Sequence, residues 1–141
     1  MTRYLLDTNA VTALANRREP FASRVREARL RGAVIGTCEP VVGELYYGLE
    51  LSATRDVNQP RVERALSELR TWPFDRRAAR EYGRVAAELR RRARTMQIID
   101  MMVAAVAFTL RNCVVISTDS DLLAVPGLTV ENWATAPSAN D

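Results

Sequence analysis

Four short apolar runs, set among longer stretches of helical periodicity, organise the chain. RYLL (residues 3–6) has the pattern of a strand and runs straight into Asp7. Residues 9–16 read as helical until RREP breaks them. Residues 21–31 carry Phe21, Val25, Ala28 and Leu30 as an approximate helical stripe, which Gly32 stops. AVIG (33–36) is the second strand pattern. Thr37 is placed to cap the next helix, with Pro40 in its first turn. That helix runs to about residue 51, with Val41, Val42, Leu45 and Leu49 on one face.

SATRDVNQP (52–60) reads as the clearest loop. A helix over 61–69, a break at TWPFD, and a long helix from a cap at Asp75 to about residue 94 follow. Residues 98–110 make a helix that is apolar almost throughout after Asp100. CVVIS (113–117) is a β-branched run and so a buried strand, TDSD is a turn, and LTVEN (128–132) is the last short strand. Strands alternating with helices predict an α/β fold of three layers, α/β/α, on a mostly parallel sheet. Residues 1–133 make one domain, long enough to bury a core, and 134–141 a frayed, flexible tail.

In such sheets ligands bind beyond the carboxyl ends of the strands, and acids lie there. Asp7 follows the first strand. Asp119 follows CVVIS, with Asp121 two residues on. Asp100 opens a helix greasy enough to be buried nearly all round, and Glu44 flanks the apolar face of its own helix. Each acid has an ordinary account, as a cap, a turn former, a helix-dipole partner or a solvated glutamate. Together in one crevice they would repel and raise one another's pKa, a penalty that a divalent cation removes. Thr8, Asn9, Ser117 and Thr118 lie beside the acids, where they orient ligands or form turns.

Composition narrows the chemistry. The chain of 141 residues has no histidine, and all 20 of its basic residues are arginine. That excludes Ser-His-Asp and Cys-His mechanisms, P-loop lysines and Schiff bases. Carboxylates acting without imidazole bind hard cations, so magnesium or manganese is the natural metal. A net charge of +3 carried by guanidinium groups mildly favours a polyanionic partner. No apolar run reaches membrane-span length, the start is not a signal segment, and Cys38 and Cys113 read as buried free thiols, which together indicate the cytoplasm.

LLDTN with Asp7, GELYYG with Glu44, IIDMMVAAVA with Asp100 and VVISTDSDLLAVPGLTVENW with Asp119 resemble, in order and spacing, the PIN domain, and within it the VapC toxins of bacterial toxin–antitoxin pairs. The resemblance implies a metal-dependent endoribonuclease that cuts tRNA or rRNA, forms a homodimer and is silenced by a VapB antitoxin. It implies Asp7, Glu44, Asp100 and Asp119 as catalytic acids and metal ligands, with Asp121 assisting or shaping the turn. Relatives often carry a glycine three residues before the third acid, where this chain has Gln97. Arg90, Arg91, Arg92 and Arg94, at the end of the long helix, are candidates for RNA contact. Tyr46 and Tyr47 cannot both face one core, which leaves one for an interface. Two rival readings remain. A PIN-like module could bind metal or a basic peptide without catalysis. An aspartyl phosphotransferase would need a lysine, which the chain lacks.

Overall fold

The computed structural model describes residues 1–135, and the chain from 136 onward, with most of the expected tail, lies outside the described residues. Its centre is a five-stranded sheet in the order β3-β2-β1-β4-β5, with every neighbouring pair parallel. The strands are β1 (Arg3–Leu6), β2 (Val34–Cys38), β3 (Arg70–Trp72), β4 (Cys113–Ile116) and β5 (Val130–Glu131). Six helices flank it as α/β/α layers: α1 (Thr8–Ala15), α2 (Phe21–Leu30), α3 (Glu39–Leu51), α4 (Arg55–Ser67), α5 (Arg76–Arg91) and α6 (Ile98–Thr109).

The apolar pattern explains the arrangement. A parallel strand covered on both faces needs apolar residues in succession rather than alternation, and Leu5, Leu6, Val115 and Ile116 are all buried. Helix α6 buries five consecutive residues, Val103 to Ala107, so it is sheathed on all sides. Helix α5 packs on α6, burying Ala78, Val85 and Leu89 and laying the Arg84 guanidinium over the Phe108 ring. Trp133 closes the core, stacking on Tyr4 with ring centres 4.7 Å apart.

Several local expectations are corrected. The 52–60 segment is not a loop, because α4 starts at Arg55 and runs through Pro60. Proline there costs one backbone bond. Arg55 bonded to Gln59, and Gln59 to Glu63, hold the turns on either side, while Asn58 reaches back to the Ser52 and Thr54 hydroxyls. The break at TWPFD contains edge strand β3, which pairs with β2. Thr37 does not cap α3. It lies inside β2, buried, and its hydroxyl donates to the Leu6 carbonyl at 2.8 Å. Helix α5 ends at Arg91 rather than 94, because Ala93 takes φ 53 and the Arg94 N–H turns back to the Leu89 carbonyl. TDSD opens a short 3₁₀ turn, Ser120–Ala124.

Both cysteines are free. Burial pushes each thiol up to about 12, so neither is a thiolate at neutral pH. Among the described residues, no helix is long and apolar enough to cross a membrane.

Candidate active site

The sheet reverses direction of winding at β1, whose neighbours are β2 on one side and β4 on the other. Such a switch point leaves a crevice at the strands' carboxyl ends. Asp7 sits in it and is 4% exposed. Its Oδ1 accepts the Ala10 N–H at 2.9 Å and so caps α1; the cap role is real, and it uses one oxygen. The pairing of Leu6 with Ile116 sets Asp7 beside Ser117, whose hydroxyl bonds to the carboxylate. Burial outweighs these two bonds and, with Asp119 and Glu44 near, pushes the Asp7 carboxyl above its ordinary range.

Glu44 reaches the same place from α3. It is half-buried, and Thr8 donates its hydroxyl to Oε1 at 2.5 Å. Asp100 stands in the first turn of α6. Burial, the adjacent Asp119 carboxylate, a hydrogen bond between the two, and then Asp7 and Glu44 push Asp100 up to about 7. Asp119 caps the 3₁₀ turn by accepting the Asp121 N–H at 2.8 Å. Its own N–H donates to Ser117 Oγ at 2.9 Å. Ser117 therefore links Asp7 to Asp119.

Four carboxyls from four segments thus act on one another electrostatically. Among the described residues none of them joins an ion pair. Nor do any three acids form a ready-made metal shell among those residues. The cluster is a set of mutually repelling neighbours, not a closed cage. Its chemistry still suits a hard dication, since every donor is a carboxylate oxygen and no cationic side chain offsets the charge.

The other predicted residues divide. Asp121 is half-exposed and lies 4.0 Å from Arg94. Asn9, Ser117 and Thr118 line a pocket of about 430 Å³ on one side of α1. Thr8 and Glu44 line another of about 270 Å³. Arg91 and Arg92 are held by Glu88 at 3.4 and 3.0 Å, and Arg90 is exposed. Gln97 adopts φ −64, ordinary extended backbone, so this chain needs no glycine there. Tyr46 and Tyr47 are both exposed, beside Leu51 and Val57 in the sequence of exposed apolar groups on α3 and α4. Sequence reasoning missed the positioning role of Thr37, whose bond to the Leu6 carbonyl fixes the peptide leading into Asp7. A threonine at a strand's end was the only signal, and it fits a helix cap equally well.

The PIN domain profile matches residues 4–128. Ribonuclease VapC2 of Haemophilus influenzae is 30% identical over 134 residues, 94% of this chain and 99% of that protein. The tRNA(fMet)-specific endonuclease VapC of Salmonella typhimurium is 28% identical, again over 94% of this chain and 99% of the relative. The crystal structure of DNA-bound VapBC from Salmonella typhimurium superposes with a TM-score of 0.83 at 29% identity, covering 94% of this chain and 99% of that one. Matched in sequence along nearly its whole length and in the winding of its sheet, the chain belongs to the PIN domain family.

Proposed function

We propose that this protein is the endoribonuclease toxin of a toxin–antitoxin pair, cutting phosphodiester bonds in RNA with the help of magnesium or manganese. The observation that carries the reading is the meeting of Asp7, Glu44, Asp100 and Asp119 at the switch point with no cationic side chain to neutralise them. Asp7, Asp100 and Asp119 would hold the ion, with Glu44 ligating directly or through water. When bound, such an ion lowers the pKa of water and stabilises the charge that builds up on phosphorus.

The protein's own groups prepare the site. The Ala10 N–H and the Ser117 hydroxyl fix the Asp7 carboxylate. Thr8 fixes Glu44. No histidine can hold a proton here. Asp100, at about 7, is poised between its protonated and ionised forms near neutral pH, and positive charge nearby would favour the ionised form. The rival binding-module reading uses the same acids and predicts no cleavage. Initiator tRNA is the first substrate to test, because the Salmonella relative is named for it. A VapB-type antitoxin is the matching partner, since the superposed Salmonella structure is a VapBC complex. The exposed Tyr46, Tyr47, Leu51 and Val57 supply apolar surface for a homodimer, and the cytoplasm is where such a substrate is met.

The experiment is incubation of the purified chain with an initiator tRNA transcript and with total RNA, in magnesium, manganese or EDTA, alongside Asp7→Asn. Cleavage that needs the metal and vanishes in the variant supports the reading. Cleavage of the same kind by Asp7→Asn refutes it.

A further inference from the structure

We propose that the groove lined by Arg17, Arg18, Arg61 and Arg64 is the track along which this enzyme holds the RNA phosphates flanking the cut. The inference rests on the ribonuclease reading above and adds which surface carries the substrate. The groove encloses about 680 Å³ between the end of α1 and α4, and no carboxylate lines it. A protein with a net charge of only +3 has no general need to gather four guanidinium groups in one place. Their mutual repulsion calls for an anionic occupant.

Three of the four arginines suggested for RNA contact from the sequence, all but Arg90, are engaged elsewhere. Arg91 and Arg92 are bound by Glu88, and Arg94 approaches Asp121. Among the described residues none of the four groove arginines joins an ion pair. Only Arg64 has a hydrogen bond there, to the Ala15 carbonyl at 2.9 Å. The acids nearest in sequence are committed elsewhere, Glu19 to Ser23 and Arg26 and Glu63 to Tyr46 and Gln59. The groove also leads to the acids. Arg61 lines the pocket that contains Thr8 and Glu44, and Arg18 the pocket that contains Asn9, Ser117 and Thr118. Helix α1 joins Asp7 to the groove, and its eight residues span about 12 Å. The arginines therefore meet neighbouring phosphates rather than the one being cut.

The Arg17 backbone is left-handed, with φ 51, where glycine is the usual occupant after a helix. An arginine held there is strained by its own Cβ, so glycine can replace it without loss of stability.

The test uses Arg17→Gly and Arg61→Gln, alone and together, and leaves Arg64 in place because it secures the end of α1. Arg111→Gln, exposed before the amino end of β4 and at the opposite end of the strands from the crevice, is the control for loss of one charge elsewhere. Thermal unfolding should show Arg17→Gly no less stable than the parent, since the strain is relieved. For cleavage of an initiator tRNA transcript, the double variant should raise KM about tenfold with kcat unchanged. Fluorescence anisotropy of the same transcript in EDTA should show the slope of log affinity against log salt falling by about 1.5 in all. Unchanged KM and slope in a parent that cleaves would overturn the groove assignment alone. An equal loss in Arg111→Gln would overturn it as bulk charge. Loss of antitoxin binding with intact RNA binding would make the groove an acidic-peptide site instead. A parent that binds the transcript through the groove yet never cleaves it would sink the ribonuclease reading and keep the track.

Discussion

The Asp100 carboxyl stands hydrogen-bonded against that of Asp119, and burial together with this contact lifts it from an ordinary 3.8 to about 7. Between those two values the folded chain binds a proton that the unfolded chain has lost. Stability must therefore fall as pH rises from about 4 to about 7 and level off above that. A dication favours the ionised form, so it should restore more stability at pH 8 than at pH 5. Thermal unfolding in EDTA and in magnesium across that range checks both slopes. Melting that rises with pH in EDTA would mean that the two carboxyls do not share a proton. Cleavage should climb through pH 7 for the same reason, as the proton and the ion compete for Asp100.

Asp7 separates two roles that coincide in one side chain. Asparagine caps a helix as well as aspartate does, so Asp7→Asn should keep the bond to Ala10 while removing a buried charge. Its melting temperature is expected to match or exceed the parent's, with cleavage abolished. Asp7→Ala loses the cap too and should cost about 1 kcal/mol. Circular dichroism melts beside an RNA cleavage assay distinguish these outcomes. A marked loss of stability in Asp7→Asn would show the charge itself to be structural.

Thr8 on α1 holds Glu44 on α3 through its hydroxyl, a direct link between the two helices. Thr8→Val keeps the shape and deletes the donor. It should lower cleavage about tenfold, the usual scale for groups that orient a metal ligand, and leave unfolding nearly unchanged. Thr8→Ser should restore activity. Equal activity in Thr8→Val would mean that Glu44 needs no positioning.

Much of this architecture was legible in the residues. Parallel strands sheathed on both faces announce themselves as apolar runs, and the greasy helix after Asp100 could only be a core helix. The errors have physical causes. Pro60 and its polar neighbours look like a loop, yet side-chain bonds four residues apart carry α4 through them. Strand β3 is three residues long and exists because β2 lies beside it. Thr37 had two uses for its hydroxyl, and the free carbonyl of Leu6 decided between them. The four acids were legible one by one. Their meeting depends on the order of strands in the sheet, which spacing along a chain does not encode. The arginine groove depends on α4 packing beside the end of α1, a contact between distant segments that spacing along the chain does not encode.

Gly36 tests the edge of the sheet. A Cβ added there would lie 2.5 Å from the Arg70 carbonyl oxygen and 2.6 Å from the Trp72 ring. The ring belongs to a side chain and can shift. The carbonyl belongs to β3, whose pairing with β2 puts Arg70 opposite Gly36. Gly36→Ala must therefore push β3 away or bend β2, at a cost of about 1–3 kcal/mol, typical of an overpacked core. Because β2 leads directly into α3, a bent β2 also displaces Glu44, and cleavage should fall along with stability. Trimming the ring with Trp72→Leu relieves only the side-chain half of the clash, so the double variant should remain less stable than Trp72→Leu alone. Urea unfolding of the four proteins settles the matter: full rescue by Trp72→Leu would place the whole clash on the ring and leave the strand pairing unstrained.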